Sequence, residues 1–375
     1  LASGTKTVFH YRGNITPPRS YDEWGNLIEA LARHLVDRYG IDEVRTWFFE
    51  VWNEPNLDMF WAGSMAEYFE LYKYAAFAIK RVDDGLAVGG PSTAIDAWIP
   101  ELREFCRDND VPLDFISTHH YPTDAAFGLG MDMESQMARA QRGVLHKKTM
   151  QAAAEARPLP LYYTEWNNSP SPRDPYHDTP YNAAFIVKTI IDNMGLVDGY
   201  SFWTFTDIFE EAGLCSTPFH GGFGLLNIHG IPKPSYRAFQ MLSQLKGDRL
   251  DIAVAQGSST VDCIAAGDGD SITILIANHQ IPLSPIEAEP VSLHIAGLNT
   301  VKSAHIERID ETHANAKKAW TDMGSPEYLD DAMIRALMNA SIVDREDADI
   351  TADGDGVTID LLILPHSVVK VSIEK

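Results

Sequence analysis

Short apolar runs alternate with longer amphipathic stretches from about residue 20 to residue 245. The runs WFFEVWNE (47–54), LAVGGPS (86–92), DFISTHHY (114–121), LYYTEWN (161–167) and GYSFWTFTD (199–207) are each closed within a few residues by polar, Pro or Gly positions, and they read as strands. Between them, YDEWGNLIEALARHLVDRYG places Leu27, Leu31 and Leu35 four apart, and AEYFELYKYAAFAIKRV follows a similar helical spacing. Strand and helix in alternation predict βα units around a parallel sheet, in a barrel or an open doubly wound form. Near Lys246 the pattern changes. SITILIANH, VSLHIAGL, GVTIDLLIL and HSVVKVSIEK alternate or are β-rich and predict an antiparallel sandwich, interrupted by one helical stretch, SPEYLDDAMIRALMNAS. The expected division is 1–245 for the βα part and 246–375 for the sandwich.

The 375 residues exceed one ordinary core, in keeping with a large and a smaller domain. With 30 Lys and Arg against 53 Asp and Glu, the formal charge of −23 sets a field that repels phosphate backbones and anionic lipid. Nucleic acid and membrane are therefore not expected partners, whereas a neutral sugar is compatible. Cys106, Cys215 and Cys263 are widely spaced and odd in number, which signals neither a disulfide framework nor a zinc site. That usage, with no visible signal peptide, predicts a cytoplasmic location. HExxH, GxxxxGK[ST], GxSxG and a strand-turn-helix GxGxxG are all missing, so no metal or other cofactor is expected.

Two acidic residues stand at the C-terminal ends of strand candidates in aromatic, Asn-containing frames, Glu54 in FEVWNEPN and Glu165 in YYTEWN. At that edge of a βα barrel both carboxylates would project into one mouth. A retaining glycosidase needs such a pair: one group holds a proton for the leaving oxygen, and the other attacks the anomeric carbon. Trp52, Trp166 and Trp203 are candidate apolar walls for sugar rings. Either carboxylate alone would more simply be a solvated or salt-bridged strand end.

The ordered series FFEVWNEPNLDMFW, GGPST, DFISTHHYP, YYTEWNNSPSPRDPYHDTPYNAAFI, SFWTFTDIFEE and PFHGGFGLLNIHGIPKPSYRAF resembles glycoside hydrolase family 39, especially its β-xylosidases. The resemblance extends through RIDETHANAKKAWTDMGSPEYL and covers nearly the whole chain. It implies a (β/α)8 TIM-type barrel with a C-terminal β-sandwich, and an exo-acting β-xylosidase that retains configuration. Glu54 would be the general acid/base and Glu165 the nucleophile. Asn53 would bind the 2-hydroxyl of the sugar, and His119 and Tyr121 would face the site with His120 turned outward. Trp203 would floor the sugar site or else pack in the core, and Glu210 or Glu211 would bind outer hydroxyls. His220, Gly221 and Gly222 read as a turn close to the mouth. The five strands match strands four to eight of that barrel, so about a hundred residues carrying strands one to three are expected to be missing, with low activity for the chain alone. Related readings are an α-L-iduronidase, for which Arg173 is the nearby cation, an α-L-arabinosidase, or a non-catalytic carbohydrate-binding fragment. A homo-oligomer is compatible with the resemblance.

Overall fold

The computed structural model describes residues 2–126, 130–211, 213–298, 300–352 and 354–375. Two compact units emerge, one of Leu1–Asp124, Leu145–Trp166 and Gly195–Phe202, the other of Ala125–Val144, Asn167–Met194 and Trp203–Lys375.

The first unit is built on a parallel sheet of β1 (Phe48–Glu50), β2 (Ala87–Thr93), β3 (Phe115–His120), β4 (Leu161–Trp166) and β5 (Gly199–Tyr200), paired in chain order. This is the expected α/β class. The last strand is much shorter than the run 199–207 suggests, because regular pairing stops at Tyr200. Helices α1 (Tyr21–Tyr39), α2 (Met65–Val82), α3 (Ile99–Asp108) and α4 (Val144–Ala156) belong to the strand crossovers and to the segment before β1. Ser64 and Glu67 close a reciprocal capping box at the start of α2, satisfying two orphan backbone donors. Its buried face, from Tyr68 through Tyr72, Ala75, Ala76 and Ile79, packs with Val44, Val51 and Val88.

The face of α1 differs from the one its leucine spacing indicates. Leu27 and Leu31 are about half exposed, while Leu35 packs against the core as its spacing indicates, together with Trp24, Gly25, Ile28 and Ala32. A tryptophan buries more apolar area than a leucine, and glycine and alanine allow the close approach to α2. On the sheet, Phe48, Phe115 and Tyr162 cluster with ring centroids 4.8–5.6 Å apart. Gly89 makes room for them: a Cβ there would lie 2.4 Å from a ring carbon of Phe115. Among the described residues β1 pairs on one side only, with β2.

The second unit holds α5 (Pro180–Asn193), α6 (Pro234–Leu242) and α7 (Asp331–Ala340), with two antiparallel sheets. Its strands are β6 (Asp248–Arg249), β7 (Val261–Gly267), β8 (Ser271–Asn278), β9 (Glu289–Ala296), β10 (Ser303–Ile309), β11 (Arg345–Asp347), β12 (Thr351–Ala352), β13 (Gly356–Ile363) and β14 (Ser367–Glu374). One sheet runs β11-β10-β14-β8-β7-β6 and the other β9-β13-β12. Alternate residues Ile272, Ile274, Ile276, Val369, Val371 and Ile373 of the first meet Val357, Ile359, Leu361 and Ile363 of the second, which is the expected sandwich. The described cysteines are free, and no helix among the described residues is long and apolar enough to cross a membrane.

His279 and His366 lie with Tyr181 and Phe185 under this sandwich, and both ring nitrogens of His279 are buried without partners. Burial holds His366 down to about 4. His279 is pushed well below the usual imidazole range by burial and then by the charges of His366, Arg142 and Lys188. An unfolded imidazole takes up its proton near about pH 6.5, so below that the unfolded chain binds protons that the folded chain refuses. Stability is therefore expected to drop as pH falls from about 6.5 toward 4, and His279→Phe should drop less steeply. Unfolding midpoints across that range check this, and identical slopes for the two proteins would contradict it.

Candidate active site

Glu54 is delivered by an irregular strand end. Beyond Glu50 the Val51 amide still bonds the Gly89 carbonyl, but Trp52 and Glu54 take positive φ values of 74° and 44°. Side chains rarely adopt that region, which costs about 1–3 kcal/mol and persists only where surroundings hold it. Three ties hold it here. The Glu54 amide donates to Ser92 O at 2.7 Å, Asn56 makes two hydrogen bonds with the Ala94 backbone, and the buried Tyr68 hydroxyl lies 3.0 Å from the carbonyls of both Val51 and Pro91.

Glu165 reaches the same place through a register shift. Thr118 pairs with Tyr163, yet His119 pairs with Glu165, leaving Thr164 as an extra residue on β4. Strict alternation would send Glu165 to the side of Leu161 and Tyr163. The bulge instead turns both Thr164 and Glu165 toward His119 and returns Trp166 to the opposite face.

These two deviations bring the carboxylates together around one imidazole. One oxygen from Glu54, one from Glu165 and a ring nitrogen of His119 all lie within 4.8 Å of one another. His119 Nδ1 is 3.1 Å from Glu54 Oε1 and 3.7 Å from Glu165 Oε2, while its Nε2 is 3.2 Å from Thr164 Oγ1. Tyr121 donates its hydroxyl hydrogen to Glu165 Oε1 at 2.5 Å. Burial disfavours a proton on His119, but the Glu54 hydrogen bond and the charges of Glu165, Glu54 and Glu50 outweigh it and raise the imidazole above its ordinary value. Burial and then the Glu165 charge push the Tyr121 phenol well above its range, so it stays a donor. Behind it, Asp124 accepts the Tyr121 amide at 2.9 Å, and burial raises its carboxyl to about 7. Glu54, His119 and Glu165 could in principle span a cation. Both ring nitrogens, however, already face protein oxygens within 3.2 Å, the arrangement of a proton-sharing site.

Asn53 is exposed next to Glu54. Trp52 and Trp166 are not walls of this site. The Trp52 indole donates to Phe60 O and sits edge-on to Trp24 and Trp61 in the helix-side core. Trp166 is fully buried and stacks on Tyr200 at 4.2 Å. His120 points away from His119, stacked on Tyr163 and hydrogen-bonded to the Tyr200 hydroxyl. Glu50, Ser92, Thr164 and Asp124, which no motif singled out, line the carboxylates or the residues that hold them.

Trp203, Glu210 and Glu211 belong to the second unit. There the Trp203 carbonyl accepts Asn167 Nδ2 at 2.6 Å, and its half-buried ring meets the edge of Phe209. Glu210 and Glu211 are partly buried on the segment that follows, and Arg173 donates to the carbonyls of Pro172 and Gly213. His220 is spent on the Thr217 carbonyl. The glycines after it are fixed by a fully buried cation. Lys233 Nζ lies 2.6 Å from Asp178 and 2.7 Å from Asp207, and it donates to Gly222 O. The two carboxylates in turn accept the amides of Gly221 and Gly224. Gly221 has a φ of +77°, and a Cβ there would meet the Asp174 carbonyl at 2.6 Å.

Residues 1–356 match the model of glycosyl hydrolases family 39. A beta-xylosidase of Caldicellulosiruptor saccharolyticus is 62% identical over 377 residues, covering 100% of this chain and 77% of that protein. A beta-xylosidase of Geobacillus stearothermophilus is 39% identical over 349 residues, covering 91% and 68%. The crystal structure of a monomeric beta-xylosidase from Caulobacter crescentus CB15 superimposes with a TM-score of 0.84 at 34% identity, covering 100% of this chain and 78% of that one.

Lys233→Met would leave two buried carboxylates with no cation, and its expected cost is about 3–5 kcal/mol of stability. Urea unfolding measures it; a loss below about 1 kcal/mol would show that the charges do not hold this loop.

Proposed function

Since this chain belongs to glycosyl hydrolase family 39, we propose that it is a retaining β-xylosidase, removing xylose from the non-reducing ends of xylo-oligosaccharides through a covalent glycosyl-enzyme. The observation that carries the reading is the approach of Glu54 and Glu165 to within 4.8 Å. Retention requires carboxyl groups about 5–5.5 Å apart, whereas inversion needs about 6.5–9.5 Å to admit a water between group and sugar.

In this reading Glu165 attacks the anomeric carbon as Glu54 passes its proton to the glycosidic oxygen. The xylose remains bonded to Glu165 while the aglycone leaves. Glu54, now ionised, takes a proton from the water that releases the sugar, and the pair returns to its starting state. The Tyr121 hydroxyl holds Glu165 Oε1, so the carboxylate cannot rotate freely. His119 stands against both groups and shares charge with whichever is ionised. Asn53 is the proposed partner of the 2-hydroxyl, Trp203 the platform under the ring, and Glu210 or Glu211 the partner of the outer hydroxyls. No cofactor enters these steps. The proposed division of labour is catalysis in residues 1–245 and an accessory sandwich in 246–375. Two relatives at 62% and 39% identity, both beta-xylosidases, favour this substrate over iduronides and arabinosides.

Glu165→Ala is expected to reduce hydrolysis of every xyloside to background. Glu54→Ala should cost about 10²–10⁴-fold on xylobiose but far less in the first step on dinitrophenyl xyloside, whose leaving group needs little protonation. Steady-state and burst kinetics on the two substrates check this, and equal losses on both would contradict the acid role. Tyr121→Phe removes a hydrogen bond to a charged oxygen worth about 1.5–3 kcal/mol, so kcat/KM should fall about 10–150-fold. A change under twofold would remove Tyr121 from the mechanism.

A further inference from the structure

Glu50 is the last residue of β1, four positions before Glu54, and the mechanism above gives it no part. Its Oε1 accepts the Ser92 hydroxyl hydrogen at 2.5 Å, and its Oε2 is buried with no hydrogen-bond partner. Ser92 is turned to this position by a positive φ of 55° at the irregular end of β2.

A serine hydroxyl has one hydrogen, and an ionised carboxylate can only accept. With that hydrogen committed to Glu50, Ser92 Oγ has only lone pairs to offer its other neighbour, His119 Nε2 at 3.4 Å. Ser92 therefore favours the tautomer with the ring hydrogen on Nε2, a hydrogen that Thr164 Oγ1 at 3.2 Å can also accept. Nδ1, facing Glu54 Oε1 at 3.1 Å, is left as the site that gains or loses a proton. Either Glu54 is protonated and donates to a neutral Nδ1, or Nδ1 is protonated and donates to an ionised Glu54. Both states hold the same single proton at the two ends of one hydrogen bond. The opposite neutral tautomer would aim an N–H at Glu54, favour its ionised form, and leave the leaving oxygen without a donor.

We propose that Glu50 is a positioning residue for the reaction: acting through Ser92, it fixes the tautomer of His119 so that the proton Glu54 delivers is held between Glu54 and His119. This rests on Glu54 being the acid/base. Among the described residues, the charged or titratable groups around His119 are Glu54 from the segment after β1, Glu50 from β1 itself and Glu165 from β4. Tyr121 acts on it through Glu165, Asp124 lies behind Tyr121, and His120 is adjacent in the chain but directed to the other face. Of these, Glu50 adds a charge that favours a proton on His119 and is hydrogen-bonded to Ser92.

The test is the pH dependence of kcat/KM for Glu50→Gln, which keeps an acceptor for Ser92 and removes the charge, and for Ser92→Ala, which removes the link. On xylobiose, where the acid is needed, the basic limb is expected to move to lower pH by about 0.5–1 unit in each variant. On dinitrophenyl xyloside, whose departure needs no acid, the first step should show no such movement. A basic limb on xylobiose within about 0.2 unit of the parent in folded Ser92→Ala, checked by melting temperature, overturns the proposal whatever Glu50→Gln shows. Should Glu50→Gln not fold, the Ser92→Ala limb decides alone. Loss of the Glu54→Ala distinction between the two substrates would instead overturn the acid/base reading itself, so the two failures are separable.

Discussion

Two carboxylates cannot be pressed to within 5 Å of one another without something to absorb their repulsion. At an effective dielectric of about 20, two unit negative charges at that distance oppose each other by about 3 kcal/mol, and the site is largely buried. The molecule answers this with a shared imidazole and with backbone ties. His119 faces both groups, Tyr121 takes one oxygen of Glu165, and the strained turn carrying Glu54 is fastened to the end of β2 by Ser92, Asn56 and Tyr68. The ties come from β2, from β3 and the residue after it, from α2 and from the segment after β1, all in the first unit. The site is therefore a property of the sheet as a whole, which explains why a chain of about sixty-five residues can separate His119 from Glu54 without loosening them.

Much of this was legible before any coordinates. The apolar runs before Glu54 and Glu165 end in polar residues at the C-terminal edge of a parallel sheet, where βα proteins place chemistry, so the two acids could be picked out together. The aromatic neighbours could not be assigned the same way. Trp52 and Trp166 sit beside the catalytic frames in sequence and look like sugar platforms, but a positive φ at one strand end and a bulge at the other turn them to the helix side. Periodicity assumes regular strands, and both carboxylates reach the site because their strands are irregular. Glu50, Ser92 and Thr164 stayed hidden for the same reason. On α1, spacing pointed to Leu27, Leu31 and Leu35, of which only Leu35 packs on the core; packing selected Trp24, Gly25 and Ala32 beside it, since contact with α2 depends on shape as well as hydrophobicity.

In the second unit the alternation along β8, β9, β13 and β14 predicted the sandwich directly, while β7 and β10, with polar residues mixed into their apolar positions, carried too weak a signal. Nor did anything in the segment around the FHGGFG turn announce the buried Lys233 beneath it. Its burial depends on the convergence of Asp178, Asp207 and the Gly222 carbonyl. Charged groups with partners distant in the sequence are the part of a fold that local pattern conveys least.

The central claim is that Glu54 and Glu165 are close enough to act on opposite faces of one anomeric carbon in two successive displacements. The stereochemistry of the sugar first released reports this directly, followed by proton NMR of the anomeric signals during rapid hydrolysis of an aryl β-xyloside. The account predicts that β-xylose appears first and then mutarotates; α-xylose as the initial product would mean a single displacement by water and would contradict it.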